Sequence, residues 1–152
     1  METTPTNQQP VVVWVHGDCL SPYHPALQAY PDALAIFVFD DELLRKWKIS
    51  LKRITFLYEC LLELPVVIRR GDVAAEVIAF ARSQQASRVI TSESVSPRFG
   101  EIATRIKREI PLTILPVEPF VQMDGHLDLK RFSRYWQAVE PHVFGQKRLF
   151  DQ

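Results

Sequence analysis

The sequence predicts a doubly wound α/β domain: a five-stranded parallel sheet in the order 3-2-1-4-5, with an amphipathic C-terminal helix added. Three observations carry the prediction. Five short apolar runs punctuate the chain, and helical periodicity fills the intervals between them. The runs are continuous rather than alternating, as expected of parallel strands covered on both faces. Repeated strand–helix–strand units then require right-handed crossovers, which place helices on both sides of the sheet.

Taken in order, "VVVWV" (11–15) is the first strand, and a helix starts at Pro25-Ala26-Leu27. "ALAIFVF" (33–39) is the second strand, and Asp40 and Asp41 stand where they can cap a helix beginning "ELLRKW". In 49–64, Ile54, Leu57, Leu61 and Leu64 recur at helical spacing and make one apolar stripe. "PVVI" (65–68) is the third strand, followed by "RRGD". Asp72 is an N-cap for a helix over 72–85 with Ala74, Val77, Ile78 and Ala81 inward. "SRVIT" (87–91) is the fourth strand. Ser96 and Pro97 then open a helix over 97–110 with Ile102, Ala103, Ile106 and Ile110 as its stripe. "LTIL" (112–115) is the fifth strand. Three regions follow: a disordered tail over 1–9, the α/β domain over 10–120, and a loop with the C-terminal helix over 121–152. In that last region "LDLKRFSRYWQAVE" (127–140) puts Leu129, Phe132, Trp136 and Val139 on one helical face.

A chain of 152 residues, 47% hydrophobic, can bury a full core. Its formal net charge of zero argues against nucleic acid and anionic membrane as general partners. No apolar run reaches the ~18 residues of a membrane span, and "METTPTNQQP" lacks the pattern of a secretory signal. Cys19 and Cys60 share no metal-ligand spacing, which predicts reduced thiols, no metal and a cytoplasmic setting.

In an open parallel sheet, ligands sit beyond the carboxyl ends of the strands, where the strand order reverses. The candidates are therefore the residues just after each strand: His16 to Cys19, Asp40 and Asp41, Arg69 to Asp72, and Ser92 to Ser96. Plain structural explanations stand beside them: capping for Asp40 or Asp41 and for Asp72, solvation for Arg69 and Arg70, isolated positions for His16 and His24, and no companion acid–base pair for Ser92 and Glu93. Nucleotide signatures are missing. The loop "HGDCLSPYHP" is no G-x-G-x-x-G, no "GK[ST]" occurs, and five glycines in all leave little for a phosphate cradle. No G-x-S-x-G elbow is present either. No catalytic constellation is identifiable, so the chain is read as a non-enzyme.

These segments, in this order, resemble the N-terminal α/β domain of the DNA photolyase and cryptochrome family. Trp14 ends a first strand as in the family, Asp18 matches the aspartate of its "RRDLR" loop, and Pro25-Ala26-Leu27 matches its helix start. "FVFDDELL" (37–44) is similar to its second strand and continuation, and "RITFLYECLLEL" (53–64) to its "R-x-x-F-L-x-E-S-L" helix. "VVIRRGDVAAEVI" (66–78) and "ASRVITSESVSP" (86–97) are similar to its third and fourth strands with their turns. "LKRFSRYWQAVEP" (129–141) is loosely similar to its linker. The match spans about residues 11 to 120.

The departures matter as much. Three arginine positions of the family's basic loop are His16, Gly17 and Leu20 here, Asp41 replaces a proline, and Ser96 stands where an acidic residue often precedes the proline. The resemblance implies that flavin, electron-transfer tryptophans and lesion-binding surface belong to a large helical domain for which this chain has no room. No FAD and no DNA repair by this chain are therefore expected. The expected function is a non-catalytic accessory module acting through a protein partner. Its docking residues are Phe132, Tyr135, Trp136, Arg131 and Arg134, an aromatic and cationic set suited to interfaces. The same tail allows self-association. The alternative, also implied by the resemblance, is an antenna-type pigment (folate or deazaflavin) or a nucleotide in the strand-end cleft, lined by Trp14, His16, Asp18, Asp40, Ser92 and Glu93.

Overall fold

The computed structural model describes residues 10–119, 121 and 128–144. The chain divides into two units, Met1–Val117 and Glu118–Gln152. In the first, β1 (Val11–Val15), β2 (Leu34–Asp40), β3 (Val66–Gly71), β4 (Arg88–Ser92) and β5 (Leu112–Leu115) form one all-parallel sheet in the order β3-β2-β1-β4-β5. This is the predicted architecture and strand order.

The continuous apolar runs follow from burial of both sheet faces. Val12 and Trp14 of β1 pack on one side with Ile36 and Val38 of β2. Two helices cover them: α4 (Val73–Ser83), through Ala74, Val77 and Ala81, and α5 (Pro97–Glu109), through Ala103 and Ile106. Val13 and Val15 face the other way, with Ala35 and Phe37, beneath α1 (Pro25–Ala29) and the Leu61–Leu64 end of α3 (Leu51–Leu62). Alternate residues of one strand thus enter opposite cores, and each must be apolar.

The helix starts are capped largely as the sequence implies. Asp40 Oδ1 accepts from the backbone N–H groups of Glu42 and Leu43, at 2.9 and 3.1 Å, and opens α2 (Asp41–Lys46). Ser50 caps α3, which is separate from α2. Asp72 Oδ1 accepts from Ala75 N at 2.9 Å, and both carboxylate oxygens receive the Arg105 guanidinium at 2.8 Å. The paired guanidinium holds the Asp72 carboxyl below the usual carboxylate range. Asp72→Ala should lower stability by about 1 kcal/mol, the worth of the cap. The exposed ion pair adds little. Asp72→Asn should recover most of the loss in urea unfolding.

One boundary differs. The sequence places Arg69 and Arg70 in a loop after the third strand, whereas β3 runs on to Gly71, opposite Asp40 of β2. Pairing with the longer β2 carries the strand past its apolar stretch. The Arg69 guanidinium lies 5.2 Å from the centre of the Phe80 ring and 3.3 Å from Glu76, so its stem is accommodated on the sheet face.

In the second unit, α6 spans Phe132–Phe144. It passes through Pro141, where the sequence ends it at Glu140; a T-shaped contact between Trp136 and Phe144, 6.0 Å between ring centres, engages the last turn. Val139 is buried, Tyr135 and Trp136 are half-buried, and Leu129, ahead of the helix, is exposed. The expected tail over 1–9 and the loop over 122–126 lie outside the described residues.

Candidate functional site

Strand order reverses between β1 and β4, so the crevice beyond their carboxyl ends is where the topology places a ligand. Two of the six candidates meet there directly. The His16 ring donates through Nε2 to the Ser92 carbonyl at 2.8 Å, which leaves Nδ1 as the unprotonated acceptor. The Cys19 sulfur lies 3.2 Å from the same Nε2. Desolvation lowers the His16 pKa, opposed by the Ser92 hydrogen bond and the Asp18 charge. Burial pushes the Cys19 thiol up to about 11, which keeps it protonated near neutral pH.

Ser92 is fully buried and ties β4 to α1. Its hydroxyl oxygen accepts from Ala26 N at 3.1 Å and lies 2.9 Å from His24 Nδ1. Ser92 thus engages one ring nitrogen of His24 and leaves the other, Nε2. That Nε2 is buried and has no partner among the described residues. Desolvation, and secondarily the His16 charge, push His24 down to about 4. The serine–histidine pair is a clip: its hydroxyl has no exposed surface from which to attack a substrate.

The other candidates are engaged in different ways. Trp14 lies in the core, stacked on Phe99 at 5.4 Å with its edge toward His16 at 5.5 Å. Asp18 receives the Ser94 hydroxyl. Asp40, besides capping α2, pairs with Arg98 of α5, which also reaches Glu42 at 3.1 Å. These carboxylates hold the Arg98 pKa above its ordinary value. Glu93 turns toward the end of β5 and accepts from Val117 N at 2.9 Å. His16, Ser92 and Asp18 are thus gathered at the crevice, Trp14 lies beneath it, and Asp40 and Glu93 flank it.

Sequence reasoning missed three members of this neighbourhood: His24 as the partner of Ser92, Arg98 and Phe99. Arg98 left a signal, because a cation in the first turn of a helix opposes the macrodipole and calls for a carboxylate. Phe99 left none that separates it from an ordinary core aromatic.

Open space remains over Gly17 and Gly100, where an added Cβ would meet nothing within 4 Å. The two described cavities lie elsewhere. One, of about 450 Å³, runs between α4 and α5 past Ala79, Arg82 and Arg105; the other, of about 500 Å³, sits by Pro10, Tyr30 and Leu34 near the amino ends of β1 and β2. Among the described residues no group of three or more His, Cys, Asp or Glu is placed to hold a metal ion. Nor is any described helix long and apolar enough to cross a membrane.

No family model and no curated protein matches the chain. Among solved structures it is similar to a bacterial class III photolyase from Agrobacterium tumefaciens, with 17% identity, a TM-score of 0.59, and coverage of 90% of this chain and 33% of that one. The chain therefore spans about a third of that photolyase's length and shares its fold over that part. A hypothetical protein matches at 17% identity and a TM-score of 0.49, over 72% of this chain and 98% of its own. A universal stress protein from Archaeoglobus fulgidus in complex with dAMP matches at 11% identity and 0.39, over 73% and 98%.

Proposed function

We propose that this chain is a non-catalytic binding module on a photolyase-type α/β domain, acting in the cytoplasm through a protein partner that docks on α6, with no flavin and no DNA-repair activity of its own. The aromatic row of α6 carries the reading. Phe132, 74% exposed, stacks on Trp136 with 6.0 Å between ring centres and stands 6.2 Å from Tyr135. Arg131 and Arg134 are exposed beside it, Arg134 held by Asp128 at 2.8 Å. Aromatic anchors with arginine at the rim are the composition of interface hot spots. The strand-end candidates support the reading from the other side, since each already has a partner within the fold.

Phe132→Glu tests it on the full chain. The substitution should leave the unfolding transition in place, because the ring is largely in water. It should abolish co-purification of a stoichiometric protein from the native cell, a loss of at least about thirtyfold in affinity for a hot-spot residue. Retention of the partner by this variant overturns the α6 assignment.

A second reading has its own observation. The exposed surface at Gly17, beside the half-exposed His16, would admit an antenna-type pigment or a nucleotide at the crevice. Protein that purifies with near-ultraviolet or visible absorbance, or with bound nucleotide, and with no partner moves the function there.

A further inference from the structure

Helix α3 is the least buried long helix of the sheet domain. Leu61 is its one buried residue, while Leu51, Phe56, Tyr58 and Leu62 are 76, 60, 47 and 64% exposed. Leu61 packs inward with Ile54 and Leu57 half-buried along the same stripe, and the flank a quarter-turn away presents Leu51, Thr55, Tyr58 and Leu62. Their four–three–four spacing is that of the seam between two packed helices.

The charges beside that seam name the occupant. Lys52 in the first turn of α3 and Glu59 near its end flank the seam, and Arg53 and Glu63 repeat the same order farther round the helix. This order opposes the helix macrodipole, which favours acidic residues at the start and basic ones at the end. None of the four forms an ion pair among the described residues. A second α3 running antiparallel would reverse the order. Lys52 of each copy would then meet Glu59 of the other, and each helix end would face the opposite end of its neighbour. A face that is positive at one end, negative at the other and apolar along the middle is complementary to itself under a two-fold axis.

We infer that the chain forms a two-fold dimer through α3, with the two helices antiparallel across the Leu51–Leu62 seam. This surface is distinct from the α6 row and stands without it. Sedimentation equilibrium of the full chain should show a concentration-dependent dimer. Lys52→Glu should weaken it at least about tenfold by setting like charges against each other. Adding Glu59→Lys to that variant should restore affinity to within about threefold, since the reciprocal pairs re-form with inverted sign. Leu62→Lys should abolish the dimer while circular dichroism stays unchanged. A chain that is monomeric at every concentration overturns the inference. So does a dimer indifferent to Leu62→Lys, or one dispersed by Phe132→Glu instead.

Discussion

Lowering the pH from 7.5 to 4.5 should destabilise the fold by about 2.5 kcal/mol through His24 alone, with His16 adding in the same direction. His24 is buried and neutral, and its pKa is pushed down to about 4 against about 6.5 in the unfolded chain. Between those values the unfolded state binds a proton that the folded state refuses, so stability falls as protons are added. The contribution is complete above about pH 6.5 and disappears as the pH drops through about 4. The physical cause is the clip itself. Nδ1 is taken by Ser92, the ring sits out of water, and a charge on His24 would face any charge on His16. The depressed carboxyls of Glu42, Asp72 and Asp128 respond as their unfolded forms begin to protonate, at the bottom of this range and below it. The difference between wild type and a His24 variant, in which the carboxyls are common to both, therefore isolates His24. Urea unfolding of wild type and His24→Gln at both pH values checks this: the variant should be weaker at pH 7.5 and far less sensitive to acid. An equal pH slope in the two proteins would rule out His24 as the source.

The strands were legible because burial on both faces leaves a mark that hydropathy reads directly. The same mark hides which face a residue serves. Nothing in "VVVWV" says that Trp14 goes under α5 while Val13 and Val15 go under α1, because the pleat alternates within an unbroken apolar run. Local capping was legible at Asp40 and Asp72, where donor and acceptor are two or three residues apart. The second halves of those sites were not. Arg98 is 58 residues from Asp40, and Arg105 is 33 from Asp72. Arg69 and Arg70 lie beyond the apolar run that marks the third strand, but pairing with β2 carries the strand through them, and the Arg69 stem lies on the sheet. The crevice followed from topology alone. The engagement of its residues with His24, Ser94 and Phe99 depends on loops whose path no periodicity encodes. On α3 the inward stripe was read correctly, whereas the exposure of Leu51, Phe56 and Leu62 is a property of what is absent above them.

Trp14→Ala should destabilise the protein by about 3–5 kcal/mol, the range for removing a buried aromatic. That is a large share of the 5–15 kcal/mol typical of a domain. Trp14 is 2% exposed, stacks on Phe99, and borders Ile36, Val38 and the inward face of α5, so its loss opens a cavity at the join between β1 and α5. The fold has little means of collapsing into that space, because the neighbouring positions belong to a hydrogen-bonded strand and to a helix held by the buried Ala103 and Ile106. Trp14→Phe keeps an aromatic face against Phe99 and should lose only about 1–2 kcal/mol, within the common range for a core substitution. A double-mutant cycle of Trp14→Ala with Phe99→Ala should return a coupling of about 0.5–1.5 kcal/mol, the worth of a stacked pair beyond its buried area. The experiment also separates two roles for one residue. If Trp14 serves the core, stability falls in the order wild type, Phe, Ala. A Trp14→Ala protein of unchanged stability would return the indole to the crevice, with ligand binding as the property it controls.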